Sequence, residues 1–243
     1  MFSLSEKTAI VTGGTSGIDR VVANYLASAG ANVAIVSTRL DVSSKVADEI
    51  AAEYHVQTVG IGCDVTDEAA VDKMVEKVAN TIGTANVLFN NAGININGSA
   101  LELNYADWKR VLDVNVNGVF LVARAFARRL IMEKKPGSII NTASISASIV
   151  NLPQAETPYN TSKGAVVHLT KTQNAGCRMG QIWDTCQYGE PGICVDRDES
   201  SPSAGYPGLL DQCHTIWPFC ISGRNCRSGY LFCQRGIKLY SRK

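Results

Sequence analysis

Short apolar runs alternate with amphipathic stretches from the start of the chain to about Thr172. The runs are Thr8–Thr12, Asn32–Ser37, Thr58–Val65, Asn86–Asn90 and Gly137–Asn141, rich in β-branched and apolar residues at consecutive positions. Strands apolar on both faces suit a parallel sheet that is covered on each side. Between them, Val71, Met74, Val75, Val78 and Ile82 recur at helical spacing behind Asp67 and Glu68. Those two acids suit the positive end of a helix dipole. Val119–Met132 is a second apolar-striped helix, with Arg124, Arg128 and Arg129 interspersed and Pro136-Gly137 ending it. Strand–helix alternation predicts an open α/β parallel sheet with its ligand crevice at the carboxyl ends of the strands.

Composition narrows the picture. A chain of 243 residues, 45% hydrophobic and 19% charged, can bury a substantial core as one large domain or two small ones. The net charge of +1 offers no general attraction to nucleic acid or to an anionic membrane, so neither is expected as a partner. No apolar run approaches the roughly 20 residues of a membrane span, and the first residues do not read as a signal peptide. The expected location is cytoplasmic. His55, His168 and His214 have no metal-like spacing, so no metal site is expected.

Candidate chemistry begins at the end of the first strand, which runs through Thr12, Gly13, Gly14, Thr15, Ser16, Gly17 and Ile18 into a helical stretch. A glycine-rich turn at a helix N-terminus presents free backbone N–H groups and a positive dipole to a pyrophosphate. Asp64-Val65 ends the third strand, Asn90-Asn91-Ala92-Gly93 the fourth. Asn115 stands in VLDVNVNGVF, Ser144 follows the fifth strand, and Tyr159-x-x-x-Lys163 comes next. A phenol with a pKa near 10 is a poor base at neutral pH. A lysine one helical turn away can stabilise the phenolate and lower that value, which fits Tyr159 for proton exchange with an alcohol or carbonyl.

Taken in this order, these residues resemble the short-chain dehydrogenase/reductase family over residues 5 to about 172. The resemblance implies a Rossmann-type doubly wound parallel sheet and an NAD(P)-dependent oxidoreductase of secondary alcohols or ketones. It implies a catalytic set of Asn115, Ser144, Tyr159 and Lys163, with Ser144 on the substrate oxygen and Asn115 supporting a proton-relay water chain. Lys163 would also hold the nicotinamide ribose. The cofactor crevice would be lined by Gly13, Thr15, Ser16, Gly17, Ile18, Arg39, Asp64, Val65, Asn91, Ala92, Gly93, Tyr159 and Lys163. Counting from Asn141 selects Ser144 as the serine, whereas the commonest family spacing back from Tyr159 selects Ser146. Strand geometry is the firmer guide, and it favours Ser144.

Ser37-Thr38-Arg39 follows the second strand without an acid at its first position. NAD-dependent proteins of this type usually place an acid there for the ribose hydroxyls. Arg39 could pair with a 2′-phosphate, which favours NADP over NAD, although Asp41 could neutralise it and a solvated loop charge is the alternative. Ser146–Lys171 looks most like the polyol and ketose reductases of the family, such as the mannitol and sorbose types. A small-molecule carbonyl or alcohol, a sugar or polyol, is therefore the expected partner, and a catalytically impaired nucleotide-binding remnant is the alternative.

Two departures stand out. Asp19 occupies the place of the last glycine in the family's T-G-x-x-x-G-x-G pattern. Facing the cofactor phosphates at about 5 Å and an effective dielectric of 20, it would repel them by roughly 3 kcal/mol before screening. Turned outward, it would cap the helix at smaller cost.

The second departure is residues 173–243, an atypical cysteine-rich tail following the 1–172 NAD(P)-binding and catalytic domain. Cys63 is the one cysteine up to Lys171, while Cys177, Cys186, Cys194, Cys213, Cys220, Cys226 and Cys233 follow. Shifting the reading frame by one base turns Met179-Gly180 into Trp and Trp183-Asp184 into Gly whatever codons are used. The pairs from Asn174 to Cys194 then permit TLDAEWAKYGIRVNTVNPGY, a family-like helix, strand and cofactor loop. A one-base insertion or deletion near Lys171–Gln173 accounts for the cysteines and the lost periodicity together. The written tail is then expected to lack the proper sixth and seventh strands, most of the substrate pocket and the family's usual homo-oligomer contacts.

Overall fold

The computed structural model describes residues 3–150, 153–175 and 183–189. The first strand, β1 (Thr8–Thr12), is buried at every position. It is followed by α1 (Gly17–Ser28), β2 (Asn32–Ser37), α2 (Leu40–Tyr54), β3 (Thr58–Gly62), α3 (Glu68–Ile82) and β4 (Val87–Asn90). Then come α4 (Tyr105–Leu112), a π-helical turn at Asp113–Gly118, α5 (Val119–Glu133), β5 (Gly137–Thr142), a 3-10 turn at Ile145–Ala147, α6 (Thr157–Ala175) and β6 (Trp183–Gly189). All strands pair in parallel, in the order β3-β2-β1-β4-β5-β6. Strand order reverses between β1 and β4, so the loops leaving those two strands diverge and leave a crevice at their carboxyl ends.

Alternation along the strands explains the layers. Ile10, Ala34, Val36, Leu88 and Ile139 form one buried cluster with Val75 and Val78 of α3 and Val122, Phe126 and Leu130 of α5. Ala9, Val11, Val33 and Ile35 alternate with them and are also fully buried, which is why these strands read as unbroken apolar runs. Asp67 caps α3 by accepting from the backbone N–H groups of Ala69 and Ala70 at 2.9 and 3.1 Å. This is the role its place ahead of the helix suggests.

The observed ends differ slightly from the sequence pattern. β3 stops at Gly62 rather than Val65, because Asp64 Oδ1 accepts from the N–H and hydroxyl of Thr66 and turns the chain. β4 begins at Val87. α6 runs on past Thr172, and the buried Gln173 accepts a hydrogen bond from Asn141 of β5 at 3.4 Å. Where the sequence predicts no proper sixth strand, the backbone of Trp183–Gly189 pairs with β5. Its position coincides with the strand of the alternative frame. The open edge of β5 takes the segment that the chain length after α6 delivers to it. The seventh strand, the substrate loop and the cysteine-rich stretch beyond Gly189 lie outside the described residues.

Candidate active site

The turn after β1 is shaped for an anion. Gly13 has φ +82° and Gly17 φ +58°, backbone conformations that side chains rarely tolerate. Ser16, ahead of α1, is extended and its hydroxyl makes no capping bond. The leading N–H groups of α1 are therefore the cradle that a pyrophosphate requires. Thr12 joins this turn to the loop after β4: its Oγ1 accepts from the N–H groups of Asn91 and Ala92 at 3.0 and 3.1 Å.

Around this turn stand the other residues singled out in the sequence. Asn91, Ala92 and Gly93 leave β4 beside it, and a Cβ on Gly93 would meet Asn115 Oδ1 at 3.1 Å. Thr15 belongs to the turn itself, and Ile18, in the first turn of α1, is exposed. Val65 is buried against Gly118, where a Cβ would approach Val65 Cγ2 to 2.7 Å, so only glycine lets the π-helical turn come this close. Asp64 is exposed at the rim. Arg39 is exposed as well, anchored through its backbone by Ser37 Oγ, and forms no ion pair with Asp41.

One group disagrees with the cradle. Asp19 does not turn outward to cap the helix. It is only 8% exposed, and a Cβ on Gly13 would stand 2.5 Å from its Oδ2. Burial pushes its carboxyl from 3.8 up to about 6, partly offset by a hydrogen bond from Asn91 and by the charge of Lys163. Its Oδ1 is buried without a hydrogen-bond partner. The backbone fits a dinucleotide; this one side chain opposes it.

On the other flank, the Ser144 side chain lies near enough to the Tyr159 phenol to pull its pKa down. Ser144 Oγ also accepts from the N–H of Ser146 at 3.1 Å. Lys163 lies one turn along α6, 5% exposed, with Nζ 5.6 Å from the Tyr159 ring centroid. Its ammonium donates to the Thr142 carbonyl at the end of β5, at 2.7 Å. Burial lowers the lysine to about 8, and Asp19 partly counters this.

Tyr159 does not show the lowered phenol that a lysine one turn away suggests. Tyr159 is pushed above its ordinary value by burial, with Ser144 pulling it down and Glu156 adding to the rise. The ammonium of Lys163 donates to the Thr142 carbonyl at 2.7 Å.

Asn115 is fully buried in the π-helical turn. Its amide accepts from the N–H of Ile94 at 2.8 Å and donates to the Ile94 carbonyl at 2.9 Å and to Ser162 Oγ at 3.0 Å. Ser162 in turn donates to the Tyr159 carbonyl at 2.7 Å. Asn115 therefore clamps the loop after β4 to the helix that carries Tyr159.

Thr142 and Ser162 support the site without having been singled out, and Thr12, Asn90 and Asn141, noted in the sequence only as neighbours of the site residues, support it too. Asn90 Nδ2 donates to Asn141 Oδ1 at 3.0 Å and to the Val119 carbonyl at 2.9 Å, tying β4, β5 and α5 together. The available signal was an asparagine at the end of two neighbouring buried strands. No helix among the described residues is long and apolar enough to cross a membrane.

Residues 7–182 match the family model described as short chain dehydrogenase. The chain is 41% identical to galactitol 2-dehydrogenase of Rhizobium johnstonii over 172 residues, covering 70% of this chain and 66% of that protein. It is 36% identical to a sorbose reductase of Candida albicans over 189 residues, covering 75% of this chain and 66% of the relative. It thus spans just under two thirds of the length of either relative. The solved NADPH-dependent 3-quinuclidinone reductase of Rhodotorula rubra superposes with a TM-score of 0.74 at 29% identity, over 87% of this chain and 77% of that one.

Proposed function

The chain belongs to the short-chain dehydrogenase family, and from that membership we propose that it moves hydride between NADP, in preference to NAD, and a secondary alcohol or ketone of the sugar or polyol class. The observation that carries this reading is the buried Lys163 held 5.6 Å from the Tyr159 ring, with Ser144 near enough to the phenol to pull its pKa down.

The cofactor's chemistry, when bound, is to give or take a hydride at the substrate carbon. In reduction, Tyr159 gives its hydroxyl proton to the substrate oxygen as that oxygen gains the charge of an alkoxide, while Ser144 holds the same oxygen. In oxidation the proton returns to the phenolate. Lys163, charged near neutral pH, favours the phenolate once its ammonium can share its field between Thr142 and the phenol. Asn115 is a positioning residue: with its amide spent on Ile94 and Ser162, it sets the height of α6 against the loop after β4.

Gly13, Thr15, Ser16, Gly17 and Ile18 would receive the pyrophosphate. Asp64, Val65, Asn91, Ala92 and Gly93 would line the remainder of the crevice, with Tyr159 and Lys163 at the nicotinamide ribose. Arg39, exposed and free of Asp41, supports NADP, and the polyol- and ketose-acting relatives support the substrate class. A small-molecule substrate and a cytoplasmic site of action complete the proposal, with residues 173–243 as an out-of-frame replacement for the family's last strands.

The test is oxidation of NADPH by full-length protein with a panel of ketoses, compared with NADH. Turnover with a sugar ketone, faster with NADPH, is expected. Cofactor binding without turnover on any sugar, polyol or simple ketone would instead select a nucleotide-binding protein that has lost catalysis, the reading that Asp19 in the cradle favours.

A further inference from the structure

Asp19 is an anion held inside an anion site. Its Oδ2 stands over Gly13, at the start of the turn that would face a pyrophosphate, and its Oδ1 is buried and unpartnered. A carboxylate in contact with Asn91 and facing the turn occupies the volume and the field that two phosphates would use. We propose that Asp19 is a built-in competitor of the cofactor, so that a dinucleotide enters this crevice only as the Asp19 carboxyl takes up a proton. This inference rests on the reading of the crevice as a dinucleotide site.

Few other titratable groups bear on that carboxyl. The turn residues 13–18 and the loop 91–94 carry none. Lys163 of α6 is the facing cation, and it favours the charged form of Asp19. On α1 itself, Arg20 is turned away to Glu49 of α2 at 3.0 Å. Arg39 and Asp41 are exposed at the start of α2. The balance already leaves the carboxyl pushed up to about 6. Phosphate charge placed beside it raises that value further, because like charges disfavour the ionised form. Binding above that pH must then draw a proton from solvent.

The experiment is a fluorescence titration of the full chain with NADH and with NADPH from about pH 5.5 to 8.5, beside Asp19→Asn and Asp19→Gly. NADH is the cleaner probe because it lacks a 2′-phosphate with its own titration. Affinity of the unaltered protein for NADH should fall by about tenfold per pH unit above 6, until the bound carboxyl itself ionises. Asp19→Asn, which keeps the shape, should remove that slope and bind about 100-fold more tightly at pH 8. Calorimetry of the unaltered protein in two buffers of different ionisation enthalpy should show uptake approaching one proton per NADH at pH 7.5 to 8, and this does not depend on a variant folding. Equal affinity of the unaltered and Asn proteins across the range, without proton uptake, would overturn the proposal and leave the dinucleotide reading standing. Binding of neither cofactor by any of the three at any pH would remove the dinucleotide site, and this inference with it.

Discussion

On the α6 flank of the crevice, the Lys163 ammonium is spent on the Thr142 carbonyl and Ser144 pulls down the Tyr159 phenol, while on the α1 flank a buried carboxylate keeps one oxygen unpaired. Both flanks rest on the same scaffold. Thr12 and the Asn90–Asn141 pair lock β1, β4 and β5 at their carboxyl ends. The difference teaches that a sheet can hold a family's site geometry while one residue changes its electrostatics. Backbone turns are fixed by the packing beneath them, but the charge inside them is set by a single side chain.

The sharpest way to separate the flanks is Tyr159→Phe. It removes the proposed proton donor and leaves the glycine-rich turn alone, so turnover should drop by about a thousandfold while cofactor affinity, losing one contact at the ribose, falls far less. Steady-state rates beside a binding titration check it.

Asp19→Asn should do the reverse on stability. Asp19's folded value of about 6 lies above its ordinary 3.8, so its cost is absent below 3.8 and grows as pH rises through 6. Removing the charge should therefore stabilise the protein by up to about 3 kcal/mol at pH 7 and by almost nothing at pH 4. Denaturant melts at the two pH values read the difference.

Asn115→Ala leaves the Ile94 backbone groups and Ser162 without their partner. It should cost about 2 kcal/mol of stability and also slow turnover, because the clamp on α6 is lost.

The smallest effect is expected far from either flank. Glu133 accepts from Lys135 and Thr84 and pairs with Arg129, and these partners hold its carboxyl down at about 2. Its contribution is present above about 4.5 and is lost as pH falls through 2. Glu133→Gln should cost about 1 kcal/mol at pH 7, solvent screening holding the figure down, and nothing at pH 2.

Much of the architecture was legible because the strands are buried on both faces and so read as short unbroken apolar runs, and because α3 and α5 carry clear apolar stripes. The eight-residue α4 was not, since Val111 is its single buried side chain and the stripe is too short to register. The residues of the site could be named from their order at the strand ends, but their contacts could not. Asp19 could have capped α1 or entered the crevice, and only the packed turn sets the direction. Lys163 could have reached the phenol or a carbonyl; the end of β5 offered the carbonyl. The π-helical turn around Asn115 was invisible in the pattern because it depends on Gly118 meeting Val65 across the fold.

The proposed hydride transfer in the crevice is tested most directly by deuterium tracing. Full-length protein is incubated with NADPH deuterated at the transferred position and a ketose, and the product is read by mass and NMR. Label on the new carbinol carbon, absent with Tyr159→Phe, is the predicted result. Bound NADPH with no label transferred to any ketose or simple ketone would contradict it.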